Sequence, residues 1–190
     1  MKVLPTQIPG VMLFEPVLHG DDRGFFMETW NHARYSDVGL PTMFRQNNLS
    51  KSAQGVLRGL HFQEPNPQGK LVHVLSGEVF DVAVDIRRGS PTFGQWEGYH
   101  LSGDNHRQLY VPEGFAHGFC VLSEFAIFSY QCTRVYEPAN DRSLAWDDPD
   151  IGISWPVDQP LLSDKDRNAP KLADCNTLPA YDEHEHAASV

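Results

Sequence analysis

The segment Gly55-Val56-Leu57-Arg58-Gly59-Leu60-His61-Phe62-Gln63 sets an imidazole three positions after a guanidinium, between glycines. A second fragment, Pro112-Glu113-Gly114-Phe115-Ala116-His117-Gly118-Phe119, places another histidine in a similar apolar, glycine-rich frame. A guanidinium can bond two oxygens of one phosphate at once. An imidazole takes up and releases protons near neutral pH. The combination points to an enzyme that holds a phosphorylated substrate and moves protons on it.

His61 admits three readings: a structural histidine packed beside Leu60 and Phe62, a general base, or a metal ligand. A base needs a neighbour that fixes its tautomer, usually a carboxylate. The run Ser163-Asp164-Lys165-Asp166 could supply one from far along the chain. A catalytic metal would need about three protein ligands and an open position, for which His61, His73, His100, His106 and His117 are the candidates. The tail run Glu183-His184-Glu185-His186 is explained more simply as a solvated acidic segment. Lys70 shares parity with Val72 and Val74, so a strand would turn it to the apolar face. A lysine turned inward calls for an anionic partner or a function. Tyr130 shares parity with Phe128, as a barrel-lining aromatic or a phenolic proton donor, and Tyr136 would join it if the strand ran on unbroken. Arg23, after Asp21-Asp22 and before Gly24, fits either a local salt bridge or a phosphate contact. Arg58 and His61 have opposite parity, so an ideal strand would send them to opposite faces. A bulge at Gly59 would reconcile them.

The elements that must position these groups read as strands. Leu71–Ile86 alternates apolar and polar residues and breaks at Ser76-Gly77, which predicts two strands joined by a tight turn. Phe80, Val82, Val84 and Ile86 form its apolar parity, with Glu78, Asp81 and Asp85 as polar members. Phe119–Tyr136 and His106–Val111 are further strand candidates, and only Asn31–Val38 looks helical. Fourteen prolines and fifteen glycines leave little room for long helices. The expectation is an all-β sandwich or barrel. Residues 1–173 read as one domain, and the polar tail 174–190 as a surface arm, ordered only if a partner holds it.

The bulk composition narrows the function. With 15 Lys+Arg against 25 Asp+Glu the chain carries a formal charge of −10, which disfavours nucleic acid and anionic membrane as partners. An anionic ligand must therefore meet a local cluster, for which Arg23, Arg45, Arg58 and Lys70 are placed in one third of the chain. The three cysteines (120, 132 and 175) fit neither a zinc pattern nor a disulfide framework. No apolar run approaches a membrane span of about 20 residues, and the N-terminus lacks a signal-peptide core. A cytoplasmic location is expected.

An ordered set of motifs resembles the dTDP-4-dehydrorhamnose 3,5-epimerase family. It comprises Asp22-Arg23-Gly24-Phe25-Phe26, Gln46-Asn47-Asn48, Gly55 to Gln63, Gln68-Gly69-Lys70, Gly77 to Asp85, Pro112 to Phe119, Tyr130, Tyr136-x-Pro138, Asp148-Pro149, Gly152-Ile153-x-Trp155-Pro156 and Ser163-x-Lys165-Asp166. The likeness runs from about Pro9 to Leu172. It implies a cupin-type jelly-roll barrel with a few short helices, working without metal or other cofactor. It also implies a homodimer that exchanges strands or an N-terminal segment between subunits. The substrate implied is a dTDP-4-keto-6-deoxyhexose, on the route to dTDP-L-rhamnose and cell-surface polysaccharide.

By position, His61 matches the family's base, Tyr130 its acid and Asp166 the carboxylate paired with that base. Lys70 is expected to stabilise the enolate oxygen. Arg23, Glu28, Gln46, Asn48, Arg58, Lys70, His117 and Lys165 fall on substrate-contacting positions, and Tyr136 on the aromatic that stacks on thymine. Asp141 departs from the pattern, which often has Glu there. The competing expectations are a 3- or 5-mono-epimerase of another dTDP-deoxysugar, a metal-dependent cupin enzyme, and a non-catalytic sugar-nucleotide-binding module.

Overall fold

A computed structural model describes residues 1–182. Thirteen short strands and two short α-helices make up its regular structure, apart from two 3-10 turns, so the described chain is mostly β, as expected. One six-stranded antiparallel sheet runs β1 (Lys2–Leu4), β2 (Met12–Glu15), β10 (Gln108–Val111), β7 (Lys70–Ser76), β12 (Phe125–Cys132), β5 (Gln46–Ala53). A five-stranded antiparallel sheet runs β13 (Asp141–Ser143), β6 (Leu57–Gln63), β11 (Phe115–Val121), β8 (Glu78–Asp85), β9 (Trp96–Ser102). The strands β3 (Leu18–Asp21) and β4 (Gly24–Met27) pair only with each other. The jelly roll is thus a pair of open sheets, not a closed ring of strands.

The sheets face one another across a shared core. Leu13, Val72, Val74, Leu109, Ala126 and Phe128 of the first meet Val79, Ala83, Leu101, Phe115 and Phe119 of the second. The rings of Phe119 and Phe128 stack across the gap with centroids 4.2 Å apart. Each sheet is also covered outside. The helix α1 (His32–Ser36) and the residues after it lay Tyr35 and Leu40 over Phe14, Leu71 and Tyr110. Residues 144–178 contribute Leu144, Ile151, Trp155 and Leu172 over Leu60, Phe62, Val82 and Val84.

The long alternating run at 71–86 forms two strands, but they are not a hairpin. Chain direction passes from one sheet to the other at Gly77, and β7 pairs with β12 while β8 pairs with β11. Likewise the expected single strand Phe119–Tyr136 is two, β11 and β12, which belong to different sheets. These four strands are one two-stranded ribbon bent across both sheets. The bend is tight: Gly77 has φ 84°, and a Cβ there would lie 2.0 Å from the Phe125 carbonyl oxygen. A non-glycine residue is therefore excluded twice, by conformation and by contact.

The bend also shifts parity. In β8 the inward residues are Val79, Asp81 and Ala83, whereas the apolar set Phe80, Val82 and Val84 faces the outer layer. The alternation marked a strand correctly, but its apolar side packs under residues 144–178. Its nominally polar side is buried too, and Asp81 and Asp85 are fully enclosed. The short helix holds, with Asn31 as its N-cap accepting from the Arg34 amide. Of the expected arm at 174–190, the part described ends at Asp182. That part is held by the chain itself, through Arg88 N–H to the Pro179 carbonyl and Tyr181 N–H to the Arg88 carbonyl. The run Glu183-His184-Glu185-His186 lies outside the described residues.

Candidate active site

Inward-facing residues near one end of the sandwich line a cavity of about 340 Å³, formed by Gln46, Asn48, His61, Lys70, Tyr130 and Tyr136 among others. A second lobe of about 190 Å³ adjoins it, lined by Ser50, Arg58, His117 and Phe119. His61, Lys70 and Tyr130 line both lobes. His61 comes from β6 in one sheet, and Tyr130 and Lys70 from β12 and β7 in the other. Base and phenol candidates therefore reach one cavity from opposite walls.

The parity conflict between Arg58 and His61 is resolved by a bulge. His61 pairs with His117 and Arg58 with Phe119, so β6 spends three steps where β11 spends two. Gly59, at φ 138°, sits in this irregularity, and a Cβ there would come 2.5 Å from Gly118 Cα. The extra residue turns Arg58 to the same cavity as His61. Its Nε donates to Ser52 Oγ at 3.0 Å, which fixes one edge of the guanidinium.

His61 is bonded to a carboxylate from 105 residues away: Nε2 lies 2.5 Å from Asp166 Oδ1. An ionised carboxylate only accepts, so Nε2 carries the proton and Nδ1 keeps a lone pair. Asp166 sits in the short helix α2 (Asp164–Arg167), whose N-cap Ser163 accepts from the Asp166 amide and donates to Asp166 Oδ2 at 2.7 Å. Burial raises the Asp166 carboxyl, but the bonds from His61 and Ser163 outweigh it and hold it below the ordinary value. The Asp166 charge therefore persists near neutral pH.

Lys70 is 8% exposed. Its Nζ donates to the His61 carbonyl at 3.4 Å. Burial lowers its pKa, opposed by Cys132, Asp81 and Asp141. Burial raises the Tyr130 phenol, so it stays protonated. His117, the cross-strand neighbour of His61, bonds through Nε2 to both oxygens of Asp81, at 2.9 and 3.0 Å. Among the described residues, no group of three or more His, Cys, Asp or Glu is arranged to hold a metal ion. His100 instead bonds Glu78, and His106 meets the Phe25 ring at a tilt.

The cavity mouth is built by residues 133–141. Tyr136 lies in this loop, beyond the end of β12, so it reaches the cavity without sharing the strand with Tyr130. Asp141 Oδ2 accepts from Tyr136 Oη at 3.0 Å and from Lys165 Nζ. The shorter acid thus serves an ion pair and a phenol together.

The family model for dTDP-4-dehydrorhamnose 3,5-epimerase matches residues 5–174. This chain belongs to the dTDP-4-dehydrorhamnose 3,5-epimerase family. It is similar to the dTDP-4-dehydrorhamnose 3,5-epimerase of Shigella flexneri, 56% identical over 178 residues that cover 93% of this chain and 98% of that one. The dTDP-4-dehydrorhamnose 3-epimerase of Streptomyces niveus is 41% identical, over 95% of this chain and 90% of its own. A solved dTDP-6-deoxy-D-glucose-3,5-epimerase of Legionella pneumophila, in complex with dTDP-4-keto-L-rhamnose, superposes with a TM-score of 0.93 at 51% identity, covering 95% of this chain and 98% of that chain. The chain is accordingly an isomerase with a cupin-like architecture.

Two expected site residues of this epimerase do not enter its own cavity. Arg23 sits at the tip of the β3–β4 hairpin, with its side chain largely exposed and paired with Asp21. Glu28 follows the hairpin and bonds Arg34 and Asn31. The hairpin joins neither large sheet, so within one chain nothing carries these two residues to His61. Sequence reasoning also passed over Gln63, Gln68, Ser52 and Cys132. For Gln63, its place at the end of the Arg58–His61 motif was the available signal. Ser52 and Cys132 share inward parity with Asn48 and Tyr130, another usable signal.

Proposed function

We propose that this single-domain enzyme inverts carbons 3 and 5 of dTDP-4-dehydro-6-deoxy-D-glucose by cofactor-independent proton abstraction and return, in the cytoplasm, on the route to dTDP-L-rhamnose. The observation that carries this reading is the cavity that His61, oriented by Asp166, and Tyr130 enter from opposite walls. The ketone at carbon 4 acidifies the hydrogens on carbons 3 and 5, because the resulting anion spreads onto oxygen. His61 Nδ1 takes the proton. The Lys70 ammonium meets the charge that grows on the carbon-4 oxygen, already fixed in place before the reaction. The Tyr130 hydroxyl returns a proton from the other face, which inverts the centre. Arg58 suits the diphosphate, and Tyr136 the thymine face. Gln46, Asn48, His117, Asp141 and Lys165 line or border the same space.

The working unit is proposed to be a homodimer in which the β3–β4 hairpin of one copy brings Arg23 and Glu28 to the other copy's cavity. The exposure of Phe25 and Phe26 on that hairpin supports it. Light scattering should give twice the chain mass, and Phe26→Asp should shift it toward the monomer with loss of activity. A monomeric, active wild type would refute this arrangement.

The test of the reaction is incubation with the keto sugar in heavy water, followed by proton NMR. Deuterium at both carbon 3 and carbon 5 is expected. Exchange at carbon 3 alone would favour a 3-mono-epimerase, a reading supported by the 41%-identical Streptomyces relative that carries that activity in its name. No exchange would reduce the chain to a binding module.

A further inference from the structure

Gln63 closes the Arg58–His61 motif, yet none of the proton steps uses it. Its side chain lines the cavity but is 3% exposed. An amide side chain offers two donors and an oxygen with two lone pairs, and both donors and one lone pair are spent on backbone. Nε2 donates to the Asn66 carbonyl at 2.6 Å and, at 3.4 Å, to the Val135 carbonyl. Oε1 accepts from the Glu137 amide at 2.8 Å. The residues bonded on either side of Tyr136 are thus held by one glutamine from β6.

Two further glutamines hold the same loop. Gln46 Oε1 accepts from the Tyr136 amide itself at 2.7 Å, and Gln68 Nε2 donates to the Arg134 carbonyl at 2.8 Å. Glu137 is also bonded by Asn66 and Asn140. The Tyr136 ring, by contrast, is exposed, with its hydroxyl on Asp141. A fixed backbone under an open ring is the arrangement of a stacking platform, because the base then meets a surface that has already lost its conformational freedom.

We infer that Gln63 is a positioning residue that fixes the 133–137 loop and thereby aims Tyr136 at the nucleotide base. This rests on the reading of Tyr136 as the thymine-stacking residue. Both Gln63 donors and one lone pair of its oxygen are committed to backbone on either side of Tyr136 and at Asn66, so its main effect runs through the loop it holds.

The experiment measures dTDP affinity by calorimetry, steady-state kinetics and amide hydrogen exchange of residues 133–137, for wild type, Gln63→Met, Tyr136→Ala and the double variant. Gln63→Met should raise the dTDP dissociation constant about tenfold and leave kcat within about a factor of two. Exchange at 133–137 should quicken. In the Tyr136→Ala background the Gln63 change should add nothing to the loss of affinity. Additive losses, a fall in kcat at unchanged affinity, or unchanged exchange would overturn the inference. Undiminished dTDP binding by Tyr136→Ala would instead defeat the stacking reading on which it depends. If Gln63→Met does not fold, Gln68→Leu acts on the same loop from the cavity rim and takes its place in the cycle, with a smaller loss that is again absent without Tyr136.

Discussion

Two histidine–aspartate pairs sit side by side on neighbouring strands, and they differ in access. His61 and His117 are cross-strand partners, each bonded through Nε2 to an aspartate. The His61 side chain is 31% exposed toward the cavity, while His117 is 8% exposed and Asp81 fully enclosed. The aspartates also titrate in opposite directions. Burial dominates at Asp81 and raises it, despite His117 and Lys70. At Asp166 burial is outweighed by hydrogen bonds, and the carboxyl is lowered. The same two residue types thus sit once at an open cavity wall, where the proposed mechanism has His61 exchange protons, and once as an enclosed polar pair one strand away.

The largest expected break of this comparison is His61→Asn. Loss of a positioned base should lower turnover about 10²–10⁴-fold with dTDP binding nearly intact, as single-turnover assays and calorimetry would show. A variant at His61 with near-normal turnover would remove the distinction between the pairs. Next, Asp166→Asn should lower kcat about tenfold to a hundredfold with little change in KM, because the imidazole loses the partner that sets its tautomer. Asp81→Asn should show its effect chiefly in denaturant unfolding, at about 1–3 kcal/mol for disturbing a buried polar pair. Equal kinetic penalties for the two substitutions would show that both pairs exchange protons.

The smallest expected effect is one of pH, and its sign separates the pairs. Asp166 has a folded pKa below its unfolded value, so its contribution to stability is present above the ordinary carboxylate range and lost as pH falls through the folded pKa. Asp81 has a raised folded pKa, so its contribution is present in acid and lost as pH rises through that value. Urea midpoints across the acidic range should therefore flatten at the low end in Asp166→Asn, and lose an opposing slope in Asp81→Asn. The same slope change in both variants would contradict the assignment.

Much of the fold could be read in the chain, because period-2 alternation reports a strand wherever one face is covered. The alternation at 71–86 could not tell which face met the core, since residues 144–178 cover the other one. Nor could it show that Gly77 joins two sheets instead of closing a hairpin, because that depends on the adjacent Phe125 carbonyl. The site divided similarly. Lys70 was placed by parity, and the Gly59 bulge by the conflict between Arg58 and His61. The pairing of His61 with Asp166 rested on family resemblance, as spacing carries no trace of a contact across 105 residues. The motif marked the position of Gln63 but not what it does, because its partners are backbone atoms, which leave no residue pattern in the sequence.

A base and an acid on opposite walls of one cavity can be tested through Tyr130→Phe in heavy water. With the phenol gone, the enolate can be reprotonated only from the His61 side. Proton NMR of the recovered sugar should then show deuterium incorporated at an exchangeable carbon with its original configuration kept and the inverted product reduced at least about a hundredfold. Inversion at a wild-type rate would contradict the placement of the acid at Tyr130.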